Sequence, residues 1–189
     1  MSSSPSNENK VEQEKLYEEW KAAAPHRKEA CLKATNQLRE LLNTDVKPDE
    51  KLQQAIRIIH DNLNLYHLAV YSVQDDWLVI YAGAGEAIER MLARGEKRKI
   101  KPKYGIVGHV GATREMHHAW DLSPEDPIYF VGPDLNATKS EITFPLIAGE
   151  KLIGVLNLQS TIRCDFREEE DDAFQNLANE FTNILAMKI

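Results

Sequence analysis

Residues 141–160 read EITFPLIAGEKLIGVLNLQS, and this stretch decides the fold class. Two apolar segments, 141–148 and 151–160, flank the pair Gly149-Glu150, and a two-residue connection favours an antiparallel hairpin. The two segments are apolar almost throughout, which is typical of strands that are covered on both faces. The stretch therefore predicts a buried hairpin with other elements packed on either side of it.

Outward from this hairpin, the apolar periodicity predicts one long helix after it and several elements before it. The last helix should begin near Asp165 as N-cap, followed by three glutamates that suit the positive end of a helix dipole. Its apolar stripe comprises Ala173, Phe174, Leu177, Ala178, Phe181, Ile184 and Leu185. Before the central hairpin, the pattern predicts helices at 10–24, 27–42, 49–64, 86–94 and 105–111, strands at 66–73, 77–82 and 98–101, and a loop at 122–136.

The order of these elements is helices, a hairpin, an irregular middle, a second hairpin and a final helix. Consecutive strands joined by short turns predict an α+β fold with an antiparallel sheet, whereas a doubly wound fold would alternate strands and helices. The long loops of the middle segment are typical of functional or disordered regions in a compact domain.

Composition narrows the function classes. The chain has 23 basic and 30 acidic residues, a formal charge of −7, which argues against a nucleic-acid reader. No apolar run reaches the length of a membrane span, and the polar N-terminus has no secretory pattern. Two distant cysteines, Cys31 and Cys164, suit free thiols in a reducing compartment. We therefore expect a cytoplasmic protein without nucleic-acid or membrane partners.

Several motifs in the second half of the chain, taken in order, resemble the GAF family of small-molecule sensory domains. They are GIVGHVG at 105–111, Trp120-Asp121, DPIYF at 126–130, KSEITFPL at 139–146, KLIGVLNLQS at 151–160 and Phe166. The resemblance implies a GAF-like (profilin-like) antiparallel sheet of five to six strands, with the terminal helices on one face and an irregular ligand-covering segment on the other. It divides the chain into a disordered tail at 1–9, a helical extension at 10–40 and a GAF domain at 41–189.

Candidate ligand-binding residues come from the segment that lines the cavity in this family and from polar exceptions on the last hairpin. Glu141 and Thr143 share one strand face by alternation, and a polar group on a covered sheet needs a partner. An aromatic beside a carboxylate, as in Trp120-Asp121, suits a cationic or hydrogen-bonding ligand. The complete candidate set is Tyr71, Val107, His109, His118, Trp120, Asp121, Phe130, Ser140, Glu141, Thr143 and Asn157.

The known subtypes of the family differ in their functional residues, and several are disfavoured here. No cysteine lies between Cys31 and Cys164, which excludes bilin attachment in the middle segment and removes the cysteines that free methionine sulfoxide reductases use there. Gln159-Ser160 replaces the Asn-Lys pair of cyclic-nucleotide binders. Haem would need an axial histidine in an apolar cavity, for which the candidates are His109, His117 and His118.

The prediction is a sensory GAF domain, not an enzyme, because no hydrolase, phosphate-loop or zinc-protease motif is present. It would bind a small ligand without a covalent bond and signal to an effector protein or domain, or as a homodimer through its terminal helices. The main alternative is a ligand-free dimerisation or scaffold module. A sulfoxide reductase and a haem-binding gas sensor stay as lesser alternatives.

Overall fold

The computed structural model describes residues 7–23, 26–122 and 137–188. The helices are α1 (Asn7–Ala23), α2 (Lys28–Leu42), α3 (Pro48–Leu63), α4 (Ile88–Arg94), α5 (Ile106–Thr113) and α6 (Asp171–Ala186). The strands are β1 (His67–Gln74), β2 (Trp77–Gly85), β3 (Lys97–Lys99), β4 (His117–Ala119), β5 (Ser140–Ala148) and β6 (Lys151–Ser160). A 3-10 turn at Glu168–Glu170 precedes α6.

The strands form one six-stranded antiparallel sheet in the order β3-β2-β1-β6-β5-β4. The hairpin of β5 and β6 was predicted from the sequence, and β6 also pairs with β1, so that it lies near the centre of the sheet. Every β6 residue after Lys151 is buried, which accounts for its nearly continuous apolar sequence. The predicted α+β fold is confirmed.

One face of the sheet packs against α2, α3 and α6. Leu68 from β1, Phe144 from β5 and Leu156 from β6 are fully buried in this core. The apolar stripe predicted for the last helix is confirmed, because all seven of its members are buried there. This layer therefore has the arrangement that the family resemblance implies for the terminal helices.

The opposite face of the sheet packs against the shorter helices α4 and α5. Tyr71 from β1, Leu78 from β2 and Val155 from β6 meet Ile106 and Val110 of α5 in a second, smaller apolar core. The central strands are thus covered on both faces, although the second cover is built from short elements.

Two local predictions were wrong. Strand β4, which has three residues and pairs with Glu141–Thr143 of β5, was not predicted from the sequence. Asp165 is not an N-cap, because α6 begins six residues later at Asp171, after the 3-10 turn. The Asp165 side chain is instead fully buried and accepts a 2.7 Å hydrogen bond from Nε of Arg27.

Helix α2 packs into the core, although the predicted division of the chain places most of it in an extension at 10–40. Its Cys31, Ala34 and Leu38 are fully buried against α3 and α6. The boundary at residue 41 stays a prediction, but α1 and α2 clearly differ in how deeply they pack. The tail predicted at 1–9 falls partly outside the described residues, which begin at Asn7, and so does most of the loop predicted at 122–136. None of the described helices is both long enough and apolar enough to cross a membrane.

Candidate functional site

Buried polar side chains gather on the sheet face that α4 and α5 cover. The pairing register places Glu141 opposite Gln159, Thr143 opposite Asn157, and His67 opposite Gln159. Alternation puts these side chains on the same face as Tyr71 and Val155 of the smaller apolar core. We call the following six residues the polar cluster: His67, Thr138, Glu141, Thr143, Asn157 and Gln159, all of which are buried.

Asn157 is the centre of the hydrogen bonds within the polar cluster. Its Nδ2 donates to Oε1 of Glu141 at 3.0 Å and to Oγ1 of Thr143 at 2.8 Å. Its Oδ1 accepts a 2.7 Å hydrogen bond from Nε2 of Gln159, and Oε1 of Gln159 accepts one of 2.7 Å from Thr138. These bonds hold the side chains of β5 and β6 in one connected arrangement, as buried polar groups require.

His67 differs from the other members of the polar cluster. Its side chain is fully buried, and neither ring nitrogen has a hydrogen-bond partner among the residues that the structure describes. Burial, with a smaller contribution from His60, lowers the pKa of His67 to about 4. The ring is therefore neutral near pH 7 and presents one donor and one acceptor nitrogen.

Tyr71 lies two positions from Ala69 on the same face of β1 and borders the polar cluster. Burial raises the pKa of its phenol to about 12; Arg98 opposes this rise, and Glu96 and Glu141 add to it. The phenol is protonated at neutral pH, so Tyr71 brings a hydroxyl donor and an aromatic wall rather than a charge. Val107 lies in the same apolar core.

The glycines of α5 serve close packing. A Cβ at Gly108 would lie 2.3 Å from the carbonyl oxygen of Lys99, and one at Gly111 would lie 2.7 Å from Leu78. His109, on the same helix, accepts a 3.2 Å hydrogen bond at Nδ1 from the Lys103 amide. Its ring lies edge-on to that of His117, with centroids 5.8 Å apart. His117 faces Thr143 across the β4–β5 pair, so this histidine pair borders the polar cluster.

Four of the predicted site residues lie away from this cluster. By alternation, His118 and Ser140 lie on the face that packs against α2, α3 and α6. There, His118 Nε2 pairs with the Phe166 carbonyl, and Ser140 donates to the Ile162 carbonyl at 2.6 Å. Trp120 packs against Tyr17 and Trp20 of α1, and Asp121 accepts a 2.8 Å hydrogen bond from Arg163. Phe130 lies outside the described residues. The polar cluster thus brings together Glu141, Thr143 and Asn157, with Tyr71, Val107 and His109 around it.

His67, Thr138 and Gln159 were missing from the predicted site. A signal existed for two of them, because His67 and Gln159 are polar residues at the ends of apolar strands. Their position on the site face depends on the β1–β6 register, which pairs them directly. Thr138 precedes β5 and had no periodic signal.

Both cysteines are buried, and neither belongs to the polar cluster. Cys31 lies in the helix-face core, where burial raises the pKa of its thiol to about 12. Cys164 follows β6, and burial raises its thiol pKa to about 11. Neither thiol has the lowered pKa that a reactive cysteine needs.

Comparison with known proteins identifies the family. The family model described as GAF domain matches residues 45–186, which is most of the chain. No curated protein sequence matches. Among solved structures, a GAF domain of a phosphoenolpyruvate-protein phosphotransferase from Coxiella burnetii superposes with a TM-score of 0.72 at 21% identity, covering 85% of this chain and 95% of that one.

Two further structures show how widely this fold is used. Free methionine-R-sulfoxide reductase from Neisseria meningitidis, solved in complex with its substrate, has a TM-score of 0.70 at 17% identity, covering 87% of this chain and 93% of that one. A GAF domain from A. aeolicus in an inactive state also has a TM-score of 0.70, at 15% identity, covering 87% of this chain and 100% of that one. At these identities the likeness concerns the fold, which GAF domains share with an enzyme.

Proposed function

This chain belongs to the GAF domain family, and from that premise we propose that it is a sensory domain whose polar cluster binds a small polar molecule without a covalent bond. Domains of this family generally have sensory or regulatory roles. The bound molecule would lie against β1, β6 and β5 on the face opposite α2, α3 and α6.

The observation that carries this proposal is the state of His67. A buried polar group without a hydrogen-bond partner costs about 1–3 kcal/mol of folding free energy. His67 is such a group among the described residues, and it lies beside Gln159, whose amide is already part of the polar cluster. A ligand that donates or accepts a hydrogen bond at the imidazole would offset this cost.

The composition of the polar cluster restricts the chemistry of the ligand. It contains one carboxylate, Glu141, and no lysine or arginine. Its neutral histidine, amides and hydroxyls can pair with amide, amino or hydroxyl groups. A molecule that carries such hydrogen-bonding groups therefore fits the polar cluster.

The sulfoxide reductase among the structural neighbours makes an enzyme a natural alternative. Thiol chemistry would need an accessible cysteine with a thiolate character. Cys31 and Cys164, the two cysteines of the sequence, are at most 1% exposed and have raised pKa values. We therefore propose binding rather than sulfoxide reduction as the function. Two free thiols also suit a reducing compartment such as the cytoplasm.

A ligand-free scaffold is the second candidate, and a different observation favours it. Asn157 uses both its amide and its carbonyl group within the polar cluster, and Thr143 both donates and accepts there. These side chains satisfy one another without a ligand. In this case the cluster would only fix the register of β5 against β6.

A thermal-shift screen with free amino acids, purine bases, nucleosides and nitrate separates the two candidates. We expect at least one organic compound to raise the melting temperature of the wild type, since a ligand at about 100 times its Kd adds about 2.7 kcal/mol of stability. His67→Leu should abolish that shift. The matched variant His60→Leu, on α3, should retain it.

Native mass spectrometry of the purified protein completes this test. A bare chain mass together with a flat thermal response across the panel would favour the scaffold and contradict the sensor. The same spectra report the oligomeric state.

We propose a homodimer that signals through the terminal helices. The apolar stripes of α2 and α6 are buried within the chain, so such a dimer must use outward residues such as Leu32 and Met187. A purely monomeric mass would exclude that route.

A further inference from the structure

Helix α1 contacts the rest of the domain outside the two cores, through the rings of Tyr17, Trp20 and Trp120, which we call the aromatic seat. The ring of Tyr17 meets that of Trp120 edge-on, with centroids 4.9 Å apart, and the ring of Trp20 lies 6.1 Å from Trp120. Trp120 directly follows the last residue of β4. The contact between α1 and the domain therefore centres on one residue at the end of an edge strand.

Polar contacts extend the seat at the C-terminal half of α1. The guanidinium of Arg163 lies 4.7 Å from the centre of the Trp20 ring, and its Nε donates to Oδ1 of Asp121 at 2.8 Å. Arg167 donates to the Lys21 carbonyl at 2.6 Å, and the Lys21 ammonium lies 3.0 Å from Glu169. Val11, nearer the other end of α1, and Leu16, which adjoins Tyr17, are exposed. Such a lightly packed helix can undock at little cost compared with α2 or α6.

The segment that carries the seat is also bonded to the polar cluster. Ala119 pairs with Glu141 across β4 and β5. The Leu122 amide donates to the Lys139 carbonyl at 2.9 Å, and the neighbouring Thr138 donates to Gln159. Residues 119–122 thus contact α1 on one side and connect to cluster members on the other.

We propose that docking of α1 on Trp120 is thermodynamically coupled to the polar cluster through residues 119–122, so that α1 is the element that reports the state of the site. The inference rests on the proposed function for the identity of the signal, but the coupling belongs to the protein without ligand as well. Coupling of this kind is reciprocal: releasing α1 must loosen the cluster, and disturbing the cluster must loosen α1 by the same factor.

Hydrogen exchange followed by mass spectrometry on the full chain tests the first direction. Trp20→Ala removes a ring from the seat without touching the cores. We expect exchange to rise by about fivefold or more both in α1 at 15–21 and at 137–143, while α3 keeps its wild-type rates. Leu16→Ala, an apolar truncation at an exposed position of the same helix, is the matched control and should leave 137–143 unchanged.

The second direction starts from the polar cluster. Thr138→Val removes the hydroxyl that bonds to Gln159 and should raise exchange in α1 at 15–21, as reciprocal coupling requires. Thr182→Val makes the same change on α6, where the hydroxyl bonds to its own helix, and should have no effect on α1.

Two outcomes would overturn the coupling. In one, Trp20→Ala frees α1 while 137–143 exchanges as in the wild type. In the other, Thr138→Val leaves the exchange of α1 unchanged. The ligand screen tests the proposed function separately. If no compound binds but the exchange effects are reciprocal, the sensory function is contradicted and the coupling is supported. If a compound binds without those exchange effects, the sensory function is supported and the coupling is contradicted.

Discussion

At the scale of single residues, His67 combines features that rarely persist without a reason. It is fully buried, its nitrogens lack partners among the described residues, and burial keeps its pKa near 4. In the unfolded chain the same side chain would have a pKa of about 6.5. Protonation therefore favours the unfolded state throughout the interval between these two values.

The sign of the pH effect follows from this difference. Above about pH 6.5, His67 is neutral in both states and contributes no pH dependence. As the pH falls from about 6.5 to about 4, the contribution of His67 lowers the unfolding free energy by about 1.4 kcal/mol per pH unit. We expect the stability difference between wild type and His67→Leu to change by about 2 kcal/mol between pH 7.5 and pH 5, in the direction that favours the variant at low pH.

Urea unfolding of both proteins at pH 7.5, 6 and 5 measures this change. His26→Leu is the control, because the side chain of that histidine is 76% exposed. Acid effects that do not involve His67 occur in both proteins and cancel in the difference. A stability difference that is the same at all three pH values would contradict the assignment of a depressed pKa to His67.

At the residue scale, the sequence indicates which side chains share a face where a polar residue interrupts an apolar strand, whereas ligand binding by these residues stays a prediction. Glu141, Thr143 and Asn157 stand out in this way, and the register brings them together as hydrogen-bonded neighbours. His67 and Gln159 have the same signal but lie at strand ends, where polar residues are ordinary. Trp120 could be assigned either to a cavity or to a helix contact, since an aromatic residue suits both, and only the position of α1 distinguishes them.

At the scale of elements, the N-terminus of α2 has no cap from its own sequence. Glu170, just before α6, accepts hydrogen bonds from the amides of Arg27 and Lys28 at 3.1 Å. Asp165 pairs with the Arg27 guanidinium, which also donates to the Leu63 carbonyl at the end of α3. One buried ionic group therefore fixes the relative positions of α2, α3 and α6.

Asp165→Asn tests the importance of this connection. The substitution leaves the Arg27 guanidinium without its carboxylate at a site that is 0% exposed for Asp165, and breaking a buried ion pair costs about 3–5 kcal/mol. We expect a loss of that size in urea unfolding. Glu180→Gln is the control, because it removes the 2.7 Å pair with the exposed Arg39, which should be worth less than about 1 kcal/mol. Equal losses for the two variants would show that burial of the Asp165 pair is unimportant.

The same elements show which local structure a sequence can predict. Long periodic stretches such as α3, α6 and the β5–β6 hairpin were predicted, because the spacing of their apolar residues indicates which face is buried. Strand β4 has only three residues and depends on its pairing with β5. Asp165 has the residue type of an N-cap, and its true role requires Arg27, which is 138 positions away.

At the scale of the whole molecule, the central sheet separates two unequal layers. The face covered by α2, α3 and α6 contains the larger core, in which these three helices contact one another. The other face has short helices and accommodates the polar cluster. The larger apolar core therefore lies on one side of β1, β6 and β5, and the candidate site lies on the other side. This division is common where a rigid scaffold supports a site.

Truncation from the N-terminus measures how the two leading helices differ. Removing residues 1–25 deletes α1 and retains Arg27, so the domain should still unfold cooperatively, with a melting temperature lower by a few degrees. Removing residues 1–42 also deletes α2, which uncovers the surface that Cys31, Ala34, Leu38 and Leu41 bury and leaves Asp165 and Glu170 without Arg27. Because a domain is stable by only about 5–15 kcal/mol, this second loss should abolish the cooperative transition.

Circular dichroism during thermal and urea unfolding distinguishes the two truncated chains, with the shorter deletion as the control for the longer one. If the chain that begins at residue 43 melts cooperatively near the wild-type temperature, α2 is dispensable and the domain boundary predicted at residue 41 is the functional one. If it does not, the folding unit begins at α2, before the first residue matched by the family model. In that case α1 is the sole helical extension among the described elements, as its peripheral seat on Trp120 implies.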